Sequence, residues 1–399
     1  QLYAPYFCGN TSLREKFDML VSPGGYAVPT PAKSEAFYAS LFAAKAGMTV
    51  GYEVDFMIDN HLNQPVFREE FGAAERWLAG MNAAAIGQNM SVQYCMALPS
   101  DLLVSLQNNA VTNYRASDDY AGSSVTNFNL QTSSLLGWAL GLRPSKDVFY
   151  TSDNLPENPY WRRRKPTHPT VPGVDLELHA AIATLSTGPT AIGDGPGRTN
   201  ETLIRRSCRA DGWLLQSDKP PTAVDAQYDG RVAPAGGWAA AGGAQVWTTY
   251  TNISHAGHTS FLGAGASEEA GAGLITWLVM SIDVETPFTL DPSRDLYPAL
   301  GAGQATVWRS WHDSAHCVNG SHAVASGCVT LGVPKVHDTR PKDVATDSHV
   351  WSLTVGSAVM PSGWVLLGEP DKWVATSAVR FKRVTDTVES LTVELEGSA

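Results

Sequence analysis

The stretch from Val50 to Tyr120 reads VGYEVDFMIDNHLNQPVFREEFGAAERWLAGMNAAAIGQNMSVQYCMALPSDLLVSLQNNAVTNYRASDDY, and it sets the expected fold. Short β-rich runs at Val50–Met57, Ser91–Ala97 and Val111–Arg115 alternate with longer helix-like segments. The segment Pro65–Ile86 carries an apolar stripe through Phe67, Phe71, Ala74, Trp77 and Met81. Asp101–Asn108 is a shorter helical segment. Strands alternating with helices at this spacing predict a parallel sheet with covering helices.

Working outward, the pattern continues on both sides. Upstream, Leu2–Phe7 is strand-like. Thr30–Gly47 opens on Thr-Pro and closes on Gly, which are start and stop signals for a helix. Downstream, Val148–Thr151 and Thr190–Gly193 are strand-like, with helices expected at Gln131–Gly141 and Leu176–Ser186. The total is about six β/α units, whereas a closed barrel of this type has eight. Two arrangements fit: an open, doubly wound sheet, or a (β/α)8 TIM barrel of which this chain carries strands three to eight. The expected boundary lies near residue 218, giving a partial barrel over 1–218. Beyond it, Pro/Gly-rich stretches lead into short strand-like runs from Gln245 to Glu394, including Leu274–Ile282, Val350–Val355 and Trp364–Leu367. Residues 219–399 are therefore expected to form an all-β domain, an antiparallel β-sandwich.

Composition narrows the function classes. The chain has 399 residues, a formal net charge of −11, 43% hydrophobic and 17% charged residues. No basic stripe interleaved with aromatics occurs, so a nucleic-acid module does not fit. The apolar run Ala270–Ile282 is too short and Gly-rich for a membrane span and is expected to be a buried strand. Sequons at Asn10, Asn89, Asn200, Asn252 and Asn319 point to a glycoprotein of the secretory lumen or the extracellular space. Of five cysteines, Cys317 and Cys328 flank a Gly-containing loop and are expected to form a disulfide. No zinc spacing and no organic-cofactor motif is present, so no cofactor is expected.

In β/α folds reactive groups gather where strands end and loops begin. Four such places carry acids: Asp55 in GYEVDFMID, Asp118 and Asp119 in TNYRASDDY, Asp147 in KDVFYTSDN, and Asp194 in TAIGDGPGRTN. Paired carboxylates suit glycosidic bond cleavage, one attacking the anomeric carbon and the other protonating the leaving oxygen. Tyr3, Tyr6, Phe7, Tyr52, Phe56, Tyr94, Tyr120 and Tyr150 lie close to these strand ends and could offer sugar-stacking faces. The plainer reading of each Asp is a helix cap.

The ordered series YEVDFM, VQYCMALP, RASDDY and LHAAIATLSTGPTAIGDGPGRTNETLIRRSCRADGWLL resembles the barrel of glycoside hydrolase family 36, nearest to its raffinose-synthase and alkaline α-galactosidase branch. The resemblance covers roughly residues 1–225. It implies a retaining (β/α)8 glycosidase or transglycosidase with Asp55 as nucleophile and Asp118 as acid/base, Asp119 being the fallback. It also implies substrate-facing roles for Arg115 and Asp194. The expected substrate-binding set is Glu53, Tyr94, Arg115, Asp119, Asp147 and Asp194. Glu53 stands where the family commonly has a lysine, and SSVTNFN replaces its tryptophan-rich continuation. On this register the first two barrel strands come from a second polypeptide, making a heteromer with a carbohydrate substrate. The alternative is a non-catalytic carbohydrate-binding or structural glycoprotein on a degenerate barrel.

Overall fold

A computed structural model describes residues 1–117, 130–152, 175–228, 245–256, 273–282, 284, 288–291, 294–299, 305–311, 324–325, 329–331 and 351–397. The chain divides into two compact units: Gln1–Ala116 with Leu135–Ser145, and Ser117–Ser134 with Lys146–Ala399. The class is α/β, a parallel sheet with helices, accompanied by antiparallel sheets.

In the first unit five parallel strands lie in the order Leu2–Tyr3, Gly51–Val54, Ser91–Tyr94, Val111–Arg115, Arg143–Ser145. Side chains alternate between the two faces of a strand. One face carries Tyr52, Val54, Val92, Tyr94 and Tyr114, all nearly fully buried. Helices supply the cover. Phe42 and Tyr38 of the helix Ser34–Ala43 stack against Tyr52, with ring centroids 5.1 and 5.7 Å apart. Burying each such apolar side chain contributes about 1.5–3 kcal/mol. The helix Ala73–Gly87 packs on that helix through Gly80, where a Cβ would come within 2.7 Å of the Glu35 backbone nitrogen. Ser34 Oγ donates to the Trp77 carbonyl at 2.6 Å across the same contact. At Gly137, in the helix Leu130–Ala139, an added Cβ would fall 1.9 Å from the Tyr114 ring, so only glycine lets this helix lie on the sheet.

Several boundaries differ from the sequence expectation, each for a local reason. The first strand stops at Tyr3, because Pro5 has no N–H to continue a ladder. The chain instead builds a three-stranded antiparallel sheet, Phe7–Cys8, Tyr26–Pro29 and Met19–Val21. The segment Pro65–Ile86 is broken at Gly72, whose φ of 73° begins a new helix. Phe71 is left 98% exposed and is no part of an apolar stripe. The last strand is Arg143–Ser145 and not Val148–Thr151. Its Pro144 argues against a strand by propensity, yet an edge position tolerates it.

The second unit contains an isolated parallel bridge between Phe149 and Ile192. It is dominated by an eight-stranded sheet. At its centre Gly273–Ile282 pairs antiparallel with Gln245–Ala256 on one side and Trp351–Ala358 on the other. Every residue of Gly273–Ile282 is buried, as expected for a strand covered on both faces. Ala305–Ser310 extends the sheet one way, Phe381–Asp386 and Leu391–Leu395 the other. The Phe381–Asp386 pairing with Gln245–Ala256 is parallel. Phe288–Leu290 and Val329–Leu331 form a separate antiparallel pair. Trp364–Leu367 is not a strand: the Met360 N–H donates to the Trp364 carbonyl across a turn containing Gly363 at φ 92°. Among the described residues no helix is long and apolar enough to cross a membrane.

Candidate active site

The face of the parallel sheet opposite the helices is polar. Register places Glu53, Gln93 and Asn113 side by side on neighbouring strands. Gln93 Nε2 donates to Glu53 Oε1 at 3.1 Å, and Asn113 Nδ2 donates to Gln93 Oε1 at 2.7 Å. Gln1 Nε2 reaches the same Gln93 oxygen at 3.2 Å. Two residues further along each strand lie Asp55, Cys95 and Arg115, the row at the C-terminal ends.

Asp55 is the centre of that row and is 7% exposed. Tyr3 Oη donates to Asp55 Oδ2 at 2.7 Å, and the Phe56 N–H donates to Oδ1 at 2.7 Å. The Cys95 thiol also feels the charge of the Asp55 carboxylate. Burial pushes the Tyr3 phenol well above its usual range, and the bond to Asp55 adds to this. The Cys95 thiol is likewise pushed up by burial, opposed by the Arg115 charge and reinforced by Asp55 and Glu53. Both groups therefore keep their protons at neutral pH and can serve as donors to the carboxylate.

The backbone at these strand ends is unusual. Phe56 has φ 54° and Met96 φ 51°, both left-handed, and neither is glycine. Each lies two residues beyond its strand, and the Ile58 N–H donates to the Met96 carbonyl at 2.9 Å. Such conformations cost on the order of 1–3 kcal/mol and concentrate at functional sites. Here the turn at Phe56 aims its own N–H at the Asp55 carboxylate. Tyr6 and Phe56 pack edge-on at 5.5 Å, and Tyr6 lies 4.2 Å from Tyr26.

The structure does not bring all the sequence-derived residues together. Glu53, Asp55 and Arg115 share the polar face. Tyr94 is buried on the opposite face, with its phenol beside Asn108 and Asp101. Tyr52 is on that helix-covered face too, and Phe7 packs on Phe37. Asp118 and Asp119 lie outside the described residues, as do Tyr120, Asn319, Cys317 and Cys328. In the second unit the Asp147 N–H donates to Ser117 Oγ at 2.9 Å. Asp194 Oδ1 accepts the Thr151 N–H at 2.9 Å, while Oδ2 bonds Thr151 Oγ1. That hydroxyl in turn accepts the Asn200 N–H at 2.7 Å. Asp194 thus ties its loop, through Thr151, to Asn200, the residue that caps the helix Glu201–Arg205.

Asn10, Asn89 and Asn200 are exposed, and Asn252 is half-buried in the strand Gln245–Ala256. Cys8, Cys95 and Cys208 carry free thiols. No group of acids, histidines and cysteines among the described residues could hold a metal ion. Sequence reasoning passed over Gln93, Asn113, Cys95 and Tyr26. A register-aware alignment of YEVD on VQYC, counting by twos from Asp55, would have found Gln93 and Cys95; Asn113 lies beyond a register shift on the next strand.

No protein-family model matches the chain, and no curated protein does. Among solved structures it is similar to a crystal structure from Bacteroides fragilis NCTC 9343, provisionally described as an alpha-galactosidase/melibiase. The identity is 11% and the TM-score 0.43, over 84% of this chain and 59% of that one. The chain thus spans under two thirds of that structure's length.

Proposed function

We propose that the chain is a retaining glycosidase or transglycosidase of the α-galactosidase type, with Asp55 as its nucleophile. The observation that carries this is the Asp55 carboxylate at the C-terminal end of a parallel strand, held by Tyr3 Oη and the Phe56 N–H at 2.7 Å each. Two fixed donors orient one carboxylate while its strand-end position faces the loops, where substrate sites of β/α folds lie. In the proposed reaction Asp55 attacks the anomeric carbon. Asp118 protonates the departing glycosidic oxygen, then takes a proton from the water or sugar hydroxyl that releases the glycosyl group. Arg115 and Glu53 border the reacting centre, and Asp119, Asp147 and Asp194 are assigned to substrate binding. The parallel sheet is assigned to a (β/α)8 barrel, and the protein to the secretory lumen or the extracellular space. Exposure of three sequons supports that setting.

A second reading keeps the fold and drops the chemistry. Glu53, a second carboxylate on the same face two residues before Asp55, supports it, since a carboxylate there favours binding hydroxyls over positioning an anionic nucleophile. In that case the protein binds carbohydrate without cleaving it. A mechanism-based label, an epoxide-bearing or aziridine-bearing cyclitol of galacto configuration, separates the two. The glycosidase reading expects covalent mass on the peptide containing Asp55, and its loss in Asp55→Asn. An unlabelled protein that still binds the parent sugar would establish the second reading.

A further inference from the structure

Two buried titratable side chains outside the carboxylate row join the segments that follow the strands Gly51–Val54 and Ser91–Tyr94. His61 belongs to the helix Met57–Asn63, which begins directly after Phe56. Asp101 lies in the first turn of the helix Pro99–Val104, which begins three residues after Met96. His61 is 9% exposed and Asp101 2%. His61 Nε2 stands 3.5 Å from Asp101 Oδ1. The other oxygen, Asp101 Oδ2, accepts the Leu98 N–H at 2.8 Å and fixes the start of its helix.

The pair is coupled to Asp55 through the backbone. Phe56 donates its N–H to Asp55 and leads into the His61 helix. In the first turn of that helix the Ile58 N–H donates to the Met96 carbonyl, and His61 meets Asp101 one helical turn further along. The two left-handed turns are thus held together twice, once by backbone and once by this pair.

The remaining neighbours of His61 are mostly rings. Phe67 of the helix Pro65–Glu69 lies 5.8 Å away and Trp77 of the helix Ala73–Gly87 lies 6.3 Å away, both between ring centroids. On the same helix as His61, the Asp59 charge is felt by the Tyr6 phenol. Asp101 faces the Tyr94 phenol, whose proton burial retains. Burial pushes the Asp101 carboxyl above its usual range, opposed by the charge of His61 and by the Leu98 N–H. A buried carboxylate beside an imidazolium is matched, whereas beside a neutral imidazole it is a buried charge without its counter-ion. The contribution of such a pair to stability is therefore lost as pH rises. A capping role for Asp101 accounts for Oδ2 and leaves Oδ1, turned to His61, unexplained.

We propose that His61 and Asp101 form a pH-dependent brace on the two left-handed turns, holding Phe56 and the Asp55 carboxylate in place while histidine is protonated and loosening the helix Met57–Asn63 when histidine is neutral. Both are positioning residues, acting on Asp55 through Phe56. The consequence for chemistry at Asp55 rests on the glycosidase reading above, and the brace itself does not.

The test is hydrogen exchange of the full chain, read by mass spectrometry at about pH 5.5 and about pH 8, on either side of the histidine range, with rates corrected for the intrinsic pH dependence of exchange. Protection over residues 56–64 and 96–104 is expected to fall about tenfold at the higher pH, while the helix Ser34–Ala43 in the same unit changes less than about twofold. Asp101→Asn, whose amide oxygen still accepts the Leu98 N–H, and His61→Gln should each abolish the fall. Equal wild-type protection at both pH values would overturn the brace, as would an Asp101→Asn chain that keeps the full fall. If His61→Gln does not fold, the Asp101→Asn comparison decides alone. Labelling at Asp55, run in parallel, separates the two readings. The pH-dependent fall in a protein that takes no label removes the glycosidase reading and keeps the brace. A labelled Asp55 with pH-independent exchange does the reverse.

Discussion

The two sheets handle burial in opposite ways. Gly273–Ile282, central in the antiparallel sheet, is buried along its whole length, with Trp277, Leu278, Val279 and Met280 filling both faces. The strands Gly51–Val54 and Ser91–Tyr94 bury only one face in this manner. Their other face presents Glu53, Gln93, Asp55 and Cys95, groups whose desolvation costs free energy unless they are hydrogen-bonded. The antiparallel strand spends its sequence on stability. The parallel strands accept a polar face, tightly cross-bonded, and add two left-handed residues at their ends. A sheet face kept polar at that cost, next to strained turns, is where function is expected.

Mutations sharpen this contrast. The largest effect is expected for Asp55→Asn, which should lower glycoside turnover by at least about 10³-fold while leaving the urea midpoint nearly unchanged. A loss of stability as large as the loss of activity would return Asp55 to a structural role. Next, Trp277→Ala, in the strand buried on both faces, should cost about 3–5 kcal/mol in equilibrium unfolding. A cost near 1 kcal/mol would show that the centre of this sheet repacks easily.

The third prediction concerns Lys219, buried in the second unit with its ammonium donating to Thr222 Oγ1 at 2.7 Å. Burial pushes it down to about 8 from 10.5, partly opposed by Asp225. The folded form therefore gives up its proton before the unfolded form does. Between those values the unfolded chain binds more protons, so this group's contribution to stability rises with pH. Comparing unfolding at pH 7 and pH 9.5, the wild type should gain about 2 kcal/mol relative to Lys219→Met. Identical pH profiles would show that the lysine is solvated. The smallest effect is assigned to Tyr3→Phe. Losing one donor to Asp55 should reduce turnover about tenfold, roughly one hydrogen bond's worth, with binding of a monosaccharide glycoside nearly unchanged. A larger change in binding than in turnover would make Tyr3 a substrate contact instead of a positioning residue.

Much of the parallel unit could be read from the sequence because its signals are local. The β-rich runs around Tyr52, Val92 and Tyr114 have short-range causes, and Asp55 falls at a strand end by simple counting. What could not be read is non-local or runs against propensity. Pro144 hides an edge strand. Phe56 and Met96 adopt a backbone region that normally announces itself with glycine or asparagine. Alternation alone cannot say that Tyr94 turns away from Asp55 while Cys95 turns toward it; that needs the register with Val54.

The amide row across the parallel sheet has a direction. Gln93 turns its nitrogen to Glu53 and its oxygen to Asn113, and Asn113 Oδ1 in turn accepts the Thr112 hydroxyl at 3.0 Å. Each amide can point only one way once its neighbour is set. Exchanging Glu53 for a lysine would put a donor where an acceptor stands, obliging Gln93 to rotate end for end and Asn113 after it. A single charge reversal on one strand would thereby be transmitted sideways to a strand two positions away, and the identity of residue 53 acts as a polarity setting for the whole floor beneath Asp55.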